Sequence, residues 1–212
     1  MSALHQPEPL LLASSSPRRQ ALLREASFRF KTARPVLDEP NDPHPHVAPA
    51  LYAEALAFFK ARSVAEQYAR HVILAADTIA VLGGEIIGKP ADRDDARRIL
   101  NRLSGTAHEV VTGLVLLEPV SGRRMLCHDV STIRMRVLPD TMIEAYLDTG
   151  AWQGKAGAYG IQDRGDAFIE DIDGSFTNVV GLPMELLAEM FEEWQRGASS
   201  SDAPAAERPT EH

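Results

Sequence analysis

Residues 10–23 read LLLASSSPRRQALL, an apolar run followed by three serines, a proline, two arginines and a helical pattern. Four apolar residues bounded by serines predict a short buried strand at 10–13. Ser16 followed by Pro17 is typical of a helix start, with serine as the N-cap and proline at the first helical position. The stretch therefore predicts a strand, a tight turn and a helix to about residue 26.

Two arginines in the first turn of this helix oppose the helix dipole, because a helix N-terminus already carries partial positive charge. Free N–H groups, the dipole and the serine hydroxyls together form an anion site, and arginine holds phosphate through paired hydrogen bonds. Two interpretations stay open on these residues alone. Arg18 and Arg19 either serve a phosphate site or point into solvent from an ordinary capped helix. The glycines and lysine of a P-loop are missing.

The rest of the chain alternates strand and helix patterns. HVILAAD at 71–77 is a continuous apolar run, as expected for a strand covered on both faces, and Gly83-Gly84 predicts a hairpin turn. Other patterns predict, in chain order, a strand at 28–33, a proline-rich loop, helices at 49–68 and within 91–105, strands at 108–118 and 125–137, a helix at 138–150, brief strands at 159–161 and 167–169, and a helix at 183–194. Long hairpins beside helices favour an α/β fold with a mixed sheet over a regular doubly wound one.

The composition is that of an acidic globular protein of 212 residues with a formal net charge of −8. Such a charge disfavours general nucleic-acid binding, which depends on neutralising phosphates, but permits one small polyanion where cations gather. A single cysteine excludes an internal disulfide. Without a signal-peptide pattern or a membrane-length apolar window, we expect a cytoplasmic protein. We expect an extension at 1–9, one domain at 10–196 and a disordered tail at 197–212.

Three charged residues are candidates for chemistry on their position alone. Asp77 comes where the buried strand is predicted to end, and α/β sheets place ligands at such ends. An aspartate there holds Mg²⁺ or positions a water, or it simply closes a turn. Lys60, beside an apolar helical stripe, and Lys89, in a turn, are each either a phosphate ligand or a solvated surface lysine.

Two loops add weaker candidates. Asp38 and Glu39, in the proline-rich loop, offer a second carboxylate to a metal. Lys155 and Gln162 lie in a glycine-rich segment whose backbone can approach a ligand closely, and a glutamine amide can read the edge of a base. The default interpretation of Asp38 and Glu39 is a solvated loop, and the alternative for Lys155 and Gln162 is a plain glycine-rich connection.

The histidines and the cysteine carry little signal. His44 and His46 have a chelating spacing, but they lie between prolines and indicate a loop. His108, at a strand start, and Cys127, in a strand, are expected to be structural.

Five segments in this order carry a family resemblance: LLLASSSPRRQALL, ILAADTIAVLGGEIIGKP, LNRLSGTAHEVVTGL, KAGAYGIQDRG and DGSFTNVVGLP. They resemble the Maf family of nucleoside triphosphate pyrophosphatases over about residues 10–194. The resemblance implies an elongated mixed sheet with flanking helices, in two lobes around a cleft, related to the inosine triphosphate pyrophosphatases. It implies hydrolysis of dTTP or UTP to the monophosphate and pyrophosphate with Mg²⁺ or Mn²⁺, because AGAYGIQ is similar to the branch that acts on these nucleotides.

The resemblance also assigns roles by position. Asp77 matches the family's proton acceptor and, with Glu39 or its neighbour Asp38, would bind the metal. The positions that match substrate-binding residues are Ser14, Arg18, Lys60, Thr78, Lys89 and Gln162. Of the two arginines, Arg18 is the expected phosphate contact.

One departure from the family pattern leaves the substrate open. Asp163 stands where the family usually has glycine, directly after Gln162. The same reaction on another base, such as 7-methyl-GTP, is therefore an alternative. A second alternative is a regulator of septum formation that binds nucleotide without turnover, although Asp77 counts against it. The resemblance suggests a homodimer, and the charge and the lack of a membrane-length apolar window lead us to expect no nucleic acid or membrane partner. Removal of modified nucleotides and control of division are both compatible with the chemistry.

Overall fold

The computed structural model describes residues 7, 9–36, 47–161 and 165–201. Within these residues the chain forms one seven-stranded sheet with six α-helices. The strands are β1 (Leu10–Ala13), β2 (Lys31–Ala33), β3 (Val72–Leu82), β4 (Glu85–Ile87), β5 (Ala107–Leu117), β6 (Arg124–Met135) and β7 (Ile169–Asp173). The helices are α1 (Pro17–Glu25), α2 (Pro49–Arg62), α3 (Arg93–Leu103), α4 (Asp140–Leu147), α5 (Phe176–Val180) and α6 (Met184–Ser201).

The sheet is mixed, as the hairpin patterns predicted. Its order is β2-β1-β3-β5-β6-β7, with β4 paired to the last residues of β3. β1 runs parallel to β2 and β3, whereas β3, β5, β6 and β7 follow one another antiparallel. The parallel strands are joined through α1 and α2. Tight turns join β3 to β4, at the predicted Gly83-Gly84, and β5 to β6, whereas α3 lies between β4 and β5 and α4 lies between β6 and β7. The predicted α/β class is confirmed.

The two faces of β1 and of the first half of β3 are both covered by helices. Leu12 and Leu74 pack in a cluster with apolar residues of α1 and α6. Leu11 and Ile73, which point the opposite way, pack against alanines of α2. Successive residues of a strand face opposite sides, so the continuous apolar run of the sequence reflects a strand buried on both sides.

Gly113 on β5 brings α2 unusually close to the sheet. A Cβ atom at this position would overlap the backbone of Ala53 and Glu54 on α2. In the β3–β5 ladder Gly113 lies directly opposite Asp77. Because seven residues make about two helical turns, Lys60 then lies on α2 within reach of the same part of the sheet.

Two predicted boundaries near the candidate site are wrong. The strand predicted at 71–77 continues to Leu82, because the residues after Asp77 keep pairing with β5 through Val81. The helix predicted at 49–68 ends at Arg62, where Ser63 Oγ donates to the carbonyl oxygen of Lys60 at 2.8 Å. Asp77 is therefore a mid-strand residue, and Lys60 lies in the last turn of its helix, where a cation is favourable.

Other boundaries also differ from the prediction. The strand predicted at 159–161 is absent, because these residues pair with no strand of the sheet, although the backbone of Tyr159 is extended. The last strand begins only at Ile169, after a 3₁₀ turn at Gly165–Phe168. The final helix continues past the predicted 194 to Ser201, with the guanidinium of Arg123 stacked on Trp194 at 4.1 Å. No helix in the described ranges is long and apolar enough to cross a membrane.

Candidate active site

A difference in strand length creates the candidate site. β1 ends at Ala13, aligned with Ala75, while β3 runs seven residues further. From Ala76 to Ile79, before its pairing with β4 begins at Ala80, β3 therefore has no strand neighbour on the β1 side, and the chain leaving β1 turns into α1 there. Asp77 and Thr78 are the first polar residues of β3 past this step, and they face opposite sides of the sheet.

Asp77 faces α2 and meets its lysine. The side chains of Asp77 and Lys60 are only 8% and 12% exposed and form an ion pair. Burial of an unpaired charge is costly, and breaking a buried pair by removing one partner typically costs about 3–5 kcal/mol. The lysine therefore gives this carboxylate an oppositely charged partner in the wall of the cleft.

Thr78 faces the other side and meets α1. Its hydroxyl accepts a hydrogen bond from Arg19 Nη2 at 3.0 Å and lies 2.9 Å from the hydroxyl of Thr112. Arg19 also donates through Nε to the carbonyl oxygen of Gly181 at 2.7 Å and through Nη1 to Ser14 Oγ at 3.5 Å. One guanidinium thus joins the end of β1, β3 and the residue after α5.

The turn before α1 is built by its serines. Ser14 is buried, and its hydroxyl accepts from the N–H of Ser16 at 3.1 Å. Ser16 is the N-cap, with its hydroxyl 3.5 Å from the N–H of Arg19, and Pro17 follows at the first helical position. The first turn holds no acidic residue, so the partial positive charge of the helix start is not compensated from within the helix.

A cleft of about 700 Å³ opens over this step of the sheet. Its far walls are the turn with Lys89, the segment 153–161 and the last residues of α5. Six cationic side chains of the described residues line it: Arg18, Arg19, Arg34, Lys60, Lys89 and Lys155. Asp77 is the one carboxylate among its described lining residues. In a chain of net charge −8, such a concentration of positive charge attracts a compact polyanion.

Comparison with known proteins identifies the family. A family model described as Maf-like protein matches residues 9–194. The chain belongs to the Maf-like family. The resemblance seen in the five sequence segments is confirmed.

Curated relatives cover nearly the whole chain. The dTTP/UTP pyrophosphatase of Symbiobacterium thermophilum is 43% identical over 187 residues, which is 88% of this chain and 94% of that protein. The dTTP/UTP pyrophosphatase of Alkaliphilus metalliredigens is 45% identical over 185 residues, covering 87% and 95%. That of Nitratidesulfovibrio vulgaris is 39% identical over 196 residues, covering 92% and 91%.

The Maf-like cleft brings together most of the residues that the sequence singled out. Its described lining includes Ser14, Arg18, Lys60, Asp77, Thr78 and Lys89. Gln162, Asp163, Asp38, Glu39 and the histidines at 44 and 46 lie outside the described residues. The expectation that Asp77 stands at a strand end is corrected: it is exposed to the cleft because the neighbouring strand stops, while its own strand continues.

Sequence reasoning missed the interior of the Maf-like site. It favoured Arg18 over Arg19, yet Arg19 is the arginine that crosses to β3 and Gly181. It also missed Asn178, which is fully buried and donates to Val110 O at 3.0 Å and to Ser131 Oγ at 2.9 Å. The one signal for Asn178 was its place in the DGSFTNVVGLP segment.

The donor set of the Maf-like cleft fits a divalent ion that arrives with a phosphate ligand. Within the described ranges no group of three or more histidines, cysteines or acids is placed to hold a metal. Mg²⁺, however, keeps several waters and binds through one or two carboxylates plus substrate phosphates. Asp77 supplies one such carboxylate, and Glu39, the predicted second ligand, lies outside the described residues.

Proposed function

We propose that this Maf-like protein hydrolyses dTTP and UTP to the nucleoside monophosphate and pyrophosphate, with a divalent metal. The observation that carries the proposal is Asp77, the one carboxylate among the described residues of the cleft lining, which stands among six cations there. A site for mere anion binding gains nothing from a buried carboxylate, whereas a hydrolase needs a group that takes a proton from water. The names of the curated relatives support pyrimidine nucleotides as substrates.

The start of α1 receives the triphosphate in this proposal. Ser14 and the N–H groups of the first turn offer hydrogen-bond donors, and Arg18 and Arg19 supply charge there. Lys89 approaches from the turn between β4 and α3. Charge that develops on the departing pyrophosphate is stabilised by donors already in place, which is the most effective form of electrostatic catalysis.

Lys60 and Asp77 change partners when the nucleotide binds. In the structure the ammonium of Lys60 pairs with Asp77. A triphosphate oxygen competes for that ammonium, which leaves the carboxylate to orient a water toward the α-phosphorus and to take up its proton. The water oxygen forms a bond to this phosphorus, the bond to the bridging oxygen breaks, and pyrophosphate leaves. A divalent ion, which Asp77 would help to hold, would lower the pKa of a water bound to it.

The test is pyrophosphate release by the purified protein. dTTP, UTP, CTP, 7-methyl-GTP and dITP are compared with Mg²⁺ or Mn²⁺ present, with a metal-free arm after chelation. We expect turnover of dTTP and UTP that requires the metal. Asp77→Asn keeps the size of the side chain but loses its basicity, and we expect kcat to fall roughly 10³-fold.

A matched control separates chemistry from general damage. Asp171, an exposed carboxylate on the edge strand β7, is changed to Asn and should leave kcat unaltered. Binding of inorganic tripolyphosphate to Asp77→Asn should persist, because the cations are intact. If the unchanged protein binds nucleotides without turnover, the enzyme hypothesis is wrong and a nucleotide-binding regulator is the better interpretation. If it turns over 7-methyl-GTP alone, the proposed substrates are wrong.

Three further expectations are part of the proposal. The metal is Mg²⁺ or Mn²⁺, the protein is a cytoplasmic homodimer, and its role is the removal of modified nucleotides. Sedimentation velocity of the purified protein tests the dimer. Turnover of 5-modified pyrimidine nucleoside triphosphates, compared with dTTP, tests the role.

A further inference from the structure

A buried histidine–tyrosine pair lies beside the cleft and has no part in the phosphate chemistry. His108, near the start of β5, is 2% exposed, and its Nε2 lies 2.7 Å from the hydroxyl of Tyr159. The two rings meet edge to face, with centroids 5.6 Å apart. Tyr159 lines the cleft, whereas His108 does not. The histidine therefore reaches the site only through the tyrosine.

Both members of the pair are neutral near pH 7. Burial lowers the pKa of His108 from its ordinary 6.5 to about 4, and burial raises the pKa of Tyr159. His108 Nδ1 is also buried and makes no hydrogen bond with the described part of the chain. A buried N–H without an acceptor is rarer than an unpaired acceptor, which favours the tautomer with the proton on Nε2. His108 then donates to the hydroxyl oxygen of Tyr159.

The backbone just before Tyr159 is strained. Gly157 and Ala158 have φ angles of 71° and 62°, a left-handed conformation that costs alanine about 1–2 kcal/mol. Such strain persists only where the surrounding structure imposes it. The N–H of Gly157 donates to the carbonyl oxygen of Gly88 at 3.3 Å on one side, and the His108–Tyr159 bond follows on the other. The strained turn thus has a hydrogen bond on each side.

The turn presents a surface unlike the rest of the cleft. Ala156, Tyr159, Gly160 and Ile161 bring small, aromatic and aliphatic groups to the cleft lining, beside one cation, Lys155. By contrast, α1 and α2 contribute Arg18, Arg19 and Lys60. An apolar and aromatic wall suits the nucleoside part of a nucleotide, and a cationic wall suits its phosphates.

We propose that His108 is a positioning residue which, through Tyr159, holds segment 155–161 in the shape that binds the nucleoside part. The inference rests on the proposed function and deepens it. Loss of the pair loosens this wall and leaves the phosphate end intact. The affinity for nucleosides and the discrimination between bases therefore depend on a residue outside the cleft.

The test separates the two ends of the cleft. For Tyr159→Phe and His108→Leu we measure kcat and KM for dTTP, UTP and CTP, and the inhibition constant of inorganic tripolyphosphate, which reports the phosphate end alone. We expect KM for dTTP to rise about tenfold, the preference for UTP over CTP to shrink, and kcat and the tripolyphosphate constant to change less than about threefold.

Two variants control for structure. His108→Gln keeps an amide N–H that extends to about the position of Nε2, and it should restore most of the lost affinity. Tyr146→Phe removes a buried hydroxyl from the same apolar cluster but away from the cleft lining, and it should leave KM unaltered. Should His108→Leu fail to fold, Tyr159→Phe, which changes one atom, still decides the question.

Unchanged KM in Tyr159→Phe, or equal weakening of dTTP and tripolyphosphate, would overturn the inference. Calorimetric binding of dTTP makes the result independent of turnover. An unchanged protein that binds dTTP without hydrolysing it contradicts the proposed function alone, and the affinity ratio between Tyr159→Phe and the unchanged protein still tests the positioning role.

Discussion

Two helices of this molecule begin in opposite ways. At the start of α3, Asp92 accepts the N–H of Asp95 at 2.8 Å, and Asp94 and Asp95 bring negative charge into the first turn. Asp95 in turn accepts the N–H of Ala91 at 3.0 Å. At the start of α1 the cap is a neutral serine and the first turn carries two arginines and no acid.

The difference separates a helix start that serves stability from one that serves binding. Carboxylates near a helix N-terminus stabilise it, and cations there destabilise it. The α3 start is therefore electrostatically complete in itself. The positive charge at the α1 start is compensated only when an anion binds there. We therefore expect substitutions at the α1 start to alter binding and activity, and substitutions at the α3 start to alter stability alone.

The largest effect is expected from Arg19→Ala. This change removes the hydrogen bonds to Gly181 and Thr78 together with a positive charge at the phosphate end. We expect kcat/KM for dTTP to fall about 100-fold, equivalent to about 2.7 kcal/mol. Arg19→Lys, which keeps the charge but not the planar fork, should recover less than a tenth of the activity. A loss of kcat/KM under threefold in Arg19→Ala would contradict the assignment of the α1 start to binding.

A smaller effect is expected from Arg18→Ala. Arg18 lines the cleft, and its removal should raise KM for dTTP about tenfold, because one charged contact to phosphate is lost. Arg24→Ala, in the last turn of the same helix and exposed, is the matched control and should leave KM unaltered. If affinity and turnover both survive in Arg18→Ala, the phosphate explanation of this arginine is wrong.

At α3 we expect a change in stability and none in activity. Asp92→Ala removes the cap and should lower the free energy of unfolding by about 1 kcal/mol, or roughly 2–4 °C in Tm for a chain of this length. Thermal unfolding and steady-state kinetics are measured on the same preparation. A fall in kcat/KM that exceeds the loss of folded protein would contradict the assignment of this helix start to stability.

The smallest expected effect is a pH dependence of the free energy of unfolding, which comes from Asp95 at the start of α3. The N–H of Ala91, and then Arg98, lower the pKa of Asp95 in the folded protein. A lowered folded-state pKa contributes stability above the unfolded value near 3.8, which is lost as the pH falls below it. The stability advantage of the unchanged protein over Asp95→Asn, under about 1 kcal/mol at pH 7, should therefore shrink toward pH 3. An advantage that grows on acidification would contradict this sign.

The local part of the site was predictable from sequence. Ser16 and Pro17 fix the start of α1 because capping and proline placement depend on adjacent residues only. The apolar run ending in Asp77 correctly indicated a strand covered on both faces. Which residues of β3 reach the cleft was not predictable, because that depends on where β1 stops, and β1 lies about sixty residues earlier in the chain.

The features of the site that could not be predicted depend on hydrogen bonds between residues far apart in the sequence. Arg18 and Arg19 are equivalent in sequence, and the partner that distinguishes Arg19 is Gly181, 162 residues away. His108 was expected to be structural, and it is buried, but its link to the cleft depends on Tyr159, 51 residues later. The left-handed Ala158 gives no sequence signal, since alanine rarely adopts that conformation.

Gly113 influences the active site although it lies outside the cleft lining, because its missing side chain lets α2 lie close to the sheet. Any larger residue there would push α2 off the sheet at Ala53, and the ammonium of Lys60 would be carried away from Asp77 with it. In a survey of random variants, substitutions at this glycine would be scored among the active-site lesions, although the residue lies outside the cleft lining. Activity thus depends partly on Gly113, whose contribution is the space that its missing side chain leaves for α2.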